Sequence, residues 1–283
     1  MGKKEAAKPA PAAKAPRFKW PAMPTMPAMP PMPAVNIPFK KDLFLSTLQS
    51  FQFVSFLGNF LTTLGVLLYT LTYFKLSSEN YEVFHDISLV GVVISSGAFT
   101  VQNVIKHRLS LGPVIKDDSF HYLFIGLSLL ILHPCVFFTV LPFGLYSVFI
   151  VLSFLTGSLF PIFEIENCFV AHLFNSITSG LRGPAVGFAS GTELTAMVML
   201  VLRVITFRSN SLLIVLIYAV FLKLRYETSQ ASRDAVKRFV NFGDKVIAIF
   251  DSHQMNNIWK DVKSGSKALD KYRLVNDYDA KVE

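Results

Sequence analysis

Residues 43–74 contain no Asp, Glu, Lys, Arg or His. About 20 apolar residues carry a helix across a hydrocarbon core, and in lipid a helix keeps every backbone group satisfied internally. The run therefore predicts a first membrane helix over about 51–74. Apolar blocks at about 87–105 and 120–138 predict a second and a third. A fourth continues to about 163. Only Pro142 interrupts the stretch between the third and fourth, and no charge separates them, so the pair reads as a hairpin bent at that proline. Further on the pattern weakens. Residues 164–182 fit an interfacial or re-entrant helix, 184–207 a spanning helix with Pro184 in its first turn, and 211–224 a short span that needs tilted partners or local thinning. The fold class is all-α: a polytopic helical membrane protein with four to six membrane helices.

The polar pattern changes after residue 226. Over 233–250, Val236, Phe239, Val240, Gly243, Ile247 and Phe250 recur at spacings of three and four, the stripe of an amphipathic helix. Phe242 and Ile249 widen that stripe, and Lys237, Arg238 and Lys245 fall mainly on the other side. Met255, Ile258, Trp259 and Val262 repeat the pattern with Lys260 and Lys263 next to them. Helices of this kind lie in the bilayer interface; packing on the protein's own surface and docking on another partner are the alternatives. The membrane-binding set is Val236, Lys237, Arg238, Phe239, Val240, Lys245, Ile247, Phe250 and Trp259, with anionic lipid as the expected contact.

Charge sharpens the division. Only 16% of the 283 residues are charged, against about 25% in soluble domains. Of the 27 Lys and Arg, eight precede Asp42 and twelve follow Leu222. Basic ends on an apolar body suit the anionic cytosolic face of a membrane and argue against a nucleic-acid-binding domain. Lys and Arg in the short flanks place the N-terminus and the loop at 106–116 in the cytosol; an even number of crossings returns the C-terminal region there. The domains read as a disordered tail over 1–41, a helical transmembrane domain over 42–226 and a cytosolic amphipathic region over 227–283. The tail holds a Pro-x-Met triplet repeat that, as polyproline II, would align Met23, Met26, Met29 and Met32 on one face. It has no apolar core of the kind a cleaved leader carries.

Candidate chemistry is sparse. Cys135 and Cys168 make no disulfide framework. Glu164, Cys168 and His172 share a helical face, but no second ligand set completes a tetrahedral metal site. Asp117, Asp118 and His121 stand at the start of the third helix, where acidic groups suit the helix dipole. His133 has no evident acidic partner. Glu193 and Arg203 lie too far apart to pair on one helix and are read as reaching toward the interface. Gly183, Gly187 and Gly191, with Gly180 a turn earlier, form a small-residue ladder for helix packing, within the chain or between copies as a homo-oligomer. Enzyme signatures are lacking, so no catalysis, cofactor or metal is expected.

Two stretches carry a resemblance. Asp117-Asp118-Ser119-Phe120-His121-Tyr122-Leu123, followed by the hairpin at Leu141-Pro142, and Ile217-Tyr218-Ala219-Val220-Phe221-Leu222-Lys223-Leu224-Arg225-Tyr226 resemble the transmembrane-protein-33 family, over roughly 45–250. The resemblance implies a multi-pass protein of the endoplasmic reticulum and nuclear envelope that shapes curved membrane and has reticulon-type or nuclear pore partners. It carries no catalytic residues. A structural subunit of a larger membrane complex, and a small transporter or channel using His133, Glu193 or Arg203, are the other classes considered.

Overall fold

The computed structural model describes residues 39–74, 80–106, 111–165, 168–206 and 211–250, with isolated positions between 254 and 274. The Met-Pro repeat and nearly all of the predicted tail lie outside the described residues. A short helix α1 (Lys41–Leu48) leads into α2 (Phe51–Tyr73), which starts where Ser50 Oγ accepts the Phe53 amide at 3.1 Å, a cap for one of the orphan donors of a first turn. Then come α3 (Tyr81–Lys106), the single-turn α4 (Leu111–Lys116), α5 (Asp118–Leu132) and α6 (Phe137–Phe154), which continues through a π-helical turn (Leu155–Leu159) into α7 (Phe160–Ile162). The last three are α8 (Phe169–Ile205), α9 (Ser211–Thr228) and α10 (Gln230–Phe250). Among the described residues, four segments are long and apolar enough to cross a membrane: α2, α3, the α6–α7 unit and α8. The all-helical membrane architecture expected from the sequence is thus observed.

Six helices form a ring. Going round, α2 packs on α3, α3 on α5, α5 on α9, α9 on α8, α8 on α6 and α6 on α2. Each is antiparallel to its ring neighbours, as cross-contacts show: Gly65 lies against Ser88 and Gly58 against Ser95, Tyr69 bonds the Cys135 carbonyl, and Asn59 bonds Ser147. The core between them holds Tyr69, Leu89, Ile125, Leu129, Phe143, Leu200, Tyr218 and Phe221. Outward-facing Phe60, Leu67, Ile131 and Leu216 are about half exposed or more, as expected for residues that face acyl chains rather than water.

The closest helix crossing was not legible in the sequence. A Cβ built on Gly58 would stand 2.5 Å from the Ser95 amide nitrogen, and one built on Gly91 2.5 Å from that of Thr62. Backbones meet there, and Thr62 Oγ1 donates to the Ser88 carbonyl at 3.3 Å. Without a hydrophobic drive between helices in lipid, such close approach and interhelical hydrogen bonding hold them together. At Gly183 and Gly191 an added Cβ would meet nothing within 4 Å.

Three expectations need correction. The hairpin bend falls at residues 133–136, not at Pro142, which is buried inside α6. His133 adopts a left-handed conformation, φ 43°, and its amide closes α5 on Leu129. Such backbone is uncommon outside glycine, so other groups must hold it. Tyr69 Oη donates to the Cys135 carbonyl at 3.1 Å, the Arg203 guanidinium donates to the Pro134 carbonyl, and His133 Nδ1 lies 3.1 Å from Asp86. His133 therefore does have an acidic partner. Finally, residues 169–182 are not a separate interfacial element. They are the first half of α8, and Pro184 sits within that helix rather than at its start.

Candidate functional site

The two sequence stretches that carried the family resemblance meet inside the ring. Asp118 and Tyr122 come from the first, on α5; Phe221 and Arg225 come from the second, on α9. The antiparallel packing of those helices sets Asp118 Oδ1 2.7 Å from Arg225 Nη1 and the Tyr122 ring 6.0 Å from that of Phe221. α8 supplies the third member. Glu193 is only 1% exposed; its Oε1 accepts the Tyr122 hydroxyl at 3.0 Å, and Oε2 lies 3.8 Å from Arg225 Nε.

Arg225, 2% exposed, is thus held between two carboxylates. Its guanidinium stands 5.0 Å from the centre of the Tyr122 ring, within range of a cation–π contact, and Nη2 donates to the Tyr146 hydroxyl at 3.4 Å. Charges buried in apolar surroundings are tolerated only when paired. Glu193 and Arg225 are each other's reason for being there. The reading of Glu193 as reaching for the interface is therefore replaced by a buried pair.

One signal could have found it. α8 and α9 form a hairpin whose connection centres near residue 208, and Glu193 and Arg225 stand almost equally far from that point. Opposite charges placed symmetrically about an antiparallel turn face one another. Asp118 is recruited from a helix-capping role: Asp117 is the cap position, makes no side-chain cap bond, and accepts Asn103 Nδ2 at 2.5 Å instead. Arg203, ten residues or about 15 Å further along α8 than Glu193, belongs to the His133–Pro134 bend and shares no cluster with it.

Beside the cluster a cleft of about 480 Å³ opens, with walls from α2, α3, α5, α6, α8 and α9. Groups of three or more His, Cys, Asp or Glu side chains suited to a metal are absent among the described residues. His172 and Cys168 lie on the outer end of α8, with Cys168 accepting the Ala171 amide at 3.3 Å.

The segment expected from the sequence to be amphipathic is the helix α10. Ser232 and Ala235 are buried, and Val236, Val240, Gly243 and Ile247 are half-buried. Arg238 donates to the Gly187 carbonyl at 3.1 Å, which ties α10 to α8. Phe239, Phe242 and Ile249 remain 40%, 65% and 79% exposed, alongside the exposed Lys237, Arg238 and Lys245. Trp259 folds back on Gly243, and its indole donates to Asp244 at 2.7 Å while Lys263 lies 2.5 Å from the same oxygen. The Phe250 side chain lies outside the described residues, as do Met255, Ile258 and Val262.

These two bonds depress the Asp244 carboxyl below its ordinary 3.8, the Lys263 bond contributing most. A depressed carboxyl favours the folded arrangement above its unfolded value, and that contribution is lost as pH falls through the folded one. With Trp20 replaced by phenylalanine, Trp259 emission should be steady near neutral pH and should change once pH drops below about 4. An Asp244→Asn variant should lack that transition.

The site is a polar cluster inside a helical membrane bundle, and the fold defines a polytopic membrane protein. Residues 40–249 match the family described as Transmembrane protein 33/Nucleoporin POM33, and the chain belongs to that family. It is similar to Tetra-spanning protein 1 of Schizosaccharomyces pombe, 25% identical over 224 residues that cover 74% of this chain and 80% of that one. It is also similar to the Pore membrane protein of 33 kDa of Saccharomyces cerevisiae, 24% identical over 208 residues that cover 68% and 73%. No solved structure matches.

Proposed function

We propose that the protein is a non-enzymatic component of the endoplasmic reticulum and nuclear envelope that stabilises curved membrane, with both termini in the cytosol and with reticulon-type or nuclear pore proteins as partners. The observation that carries this reading is the outward face of α10. Phe239, Phe242 and Ile249 stand exposed beside Lys237, Arg238 and Lys245, on a helix whose root is anchored to the ring by Arg238 and by Arg233 on the Tyr226 and Glu227 carbonyls. Burial is worth about 25 cal/mol per Å² of apolar surface, on the order of 2 kcal/mol for each phenylalanine inserted. A helix fixed to a spanning bundle at one end and wedged into one leaflet along its length expands that leaflet and favours curvature. The antiparallel alternation of the ring and the even count of spanning segments support placing both ends of the bundle on one side. The family description, which names a nucleoporin, and the relative named as a pore membrane protein support the location.

Full-length protein reconstituted into giant vesicles from which thin tubes are drawn should concentrate on the tubes. Phe242→Asp with Ile249→Asp should abolish that enrichment while the protein stays in the bilayer. A peptide spanning 233–262 should bind small vesicles better than large ones. Reversing Lys237 and Arg238 should weaken binding to anionic vesicles only. Enrichment that survives the double aspartate variant would reject the wedge.

A further inference from the structure

We propose that the cleft inside the helical ring is a binding site for the headgroup of one phospholipid, with its phosphate held between Arg182 and Arg225.

The argument starts from what the cleft lacks. Arg225 lines it and is 2% exposed, yet among the described residues neither Nε nor Nη1 has a hydrogen-bond acceptor. Asp118 is near enough to Nη1, but it lies off the N–H directions. A guanidinium buried with open donors is costly, and a phosphate oxygen is the acceptor its fork matches best. Arg182, on α8, lines the same cleft and is exposed, and among the described residues it makes no ion pair. Two cations therefore face one cavity, one buried and one at its rim.

The surroundings select an amphiphile over a soluble anion. Asp118 and Ser119 stand where α5 begins, and Arg225 and Ser229 where α9 ends. The mouth is thus level with the ends of the apolar helices, the depth at which headgroups lie. Beyond the charged groups the lining mixes polar Asn59, Ser95 and Ser147 with an apolar strip of Phe99, Phe149 and Ile150, and Ile150 is 37% exposed. A cleft of about 480 Å³ takes a headgroup and glycerol but not two acyl chains, so the chains must leave along that apolar strip into the bilayer. Asp118, with a side chain 55% exposed, offers a carboxylate to the ammonium of an ethanolamine headgroup at the same rim. The site balances a zwitterion: two arginines and two carboxylates, Asp118 and Glu193.

This inference needs only the membrane-embedded ring and stands apart from the wedge role of α10. Full-length protein, stripped of lipid in a mild detergent, is titrated with dioleoyl-phosphatidylethanolamine and followed by native mass spectrometry and thermal unfolding. The expected result is one lipid per chain and a rise in unfolding temperature. Arg182→Glu should weaken binding about tenfold or more, the mark of a lost charge-assisted contact, and Arg182→Lys should restore most of it. Arg182 is exposed, so neither variant endangers the fold. Lys41→Glu, which changes an exposed charge away from the cleft, should bind as the wild type does. Equal binding to Arg182→Glu, equal loss in Lys41→Glu, or equal stabilisation by diacylglycerol would overturn the proposal. Water-soluble glycerophosphoethanolamine matching the lipid at equal concentration would also overturn it, since the occupant would then be a free phosphodiester.

Discussion

Arg225→Leu should destabilise the bundle by about 3–5 kcal/mol, the usual cost of leaving a buried charge without its partner. The variant strands Glu193, 1% exposed and bonded among the described residues only to the Tyr122 hydroxyl, inside the helical ring. Asp118 loses the same cation but can turn to water, because its side chain is 55% exposed. The double variant Glu193→Leu/Arg225→Leu should recover much of the loss, because two apolar groups of similar size replace a pair whose desolvation nearly cancels its attraction. Unfolding temperature in detergent for the wild type, both single variants and the double variant completes the cycle. If the single and double variants fall equally, Glu193 and Arg225 do not act as a pair.

The second large effect is expected at Gly91. A leucine there would drive its Cβ into the Thr62 amide and the Gly58 carbonyl, 2.5 and 2.6 Å away. Backbone atoms cannot rotate aside as a side chain can, so α2 and α3 must separate and the Thr62–Ser88 hydrogen bond must break. The cost should be about 3 kcal/mol or more, at the upper end for overpacked sites. Gly183→Leu and Gly191→Leu form the contrast. An added Cβ meets nothing within 4 Å at either position, so unfolding temperature should move far less than for Gly91→Leu. If this open ladder joins copies of the chain, the same two variants should convert a dimer to monomer in detergent sedimentation. If they leave the oligomeric state alone, the ladder has no role in self-association.

The contrast between the two glycine sets shows where the sequence was readable. Spacing alone favoured Gly183, Gly187 and Gly191, which repeat every four residues. Gly58 and Gly91 belong to different helices, and no spacing within either helix marks them as a crossing point. Small residues permit close approach, but which of them are used depends on how each helix is rotated about its axis. Pro142 failed as a bend for a related reason. A proline marks a break only when nothing else compensates, and inside α6 the neighbouring helices accommodate it. The bend moved to His133, where Tyr69, Arg203 and Asp86 converge from α2, α8 and α3.

The buried pair was half legible. That Glu193 needed a partner followed from its apolar setting, and Arg225 lay inside one of the two stretches that carried the family resemblance. That Asp118 and Tyr122, from the other stretch, should close on the same arginine required α5 and α9 to be ring neighbours. α5 and α9 are far apart in sequence, and the adjacency exists only once six helices have closed a ring.

By itself the sequence determined the medium and the periodicity: charge-free runs too long for a soluble core, basic ends, and a three-four stripe over 233–250. These are local properties, fixed by transfer free energies and by 3.6 residues per turn, and they hold whatever the rest of the chain does. Only the tertiary structure decided which charges pair, which glycines touch, and that a polar cleft stands inside the bundle. Each of these depends on helix order, rotation and register together, and those are set by packing between residues tens of positions apart.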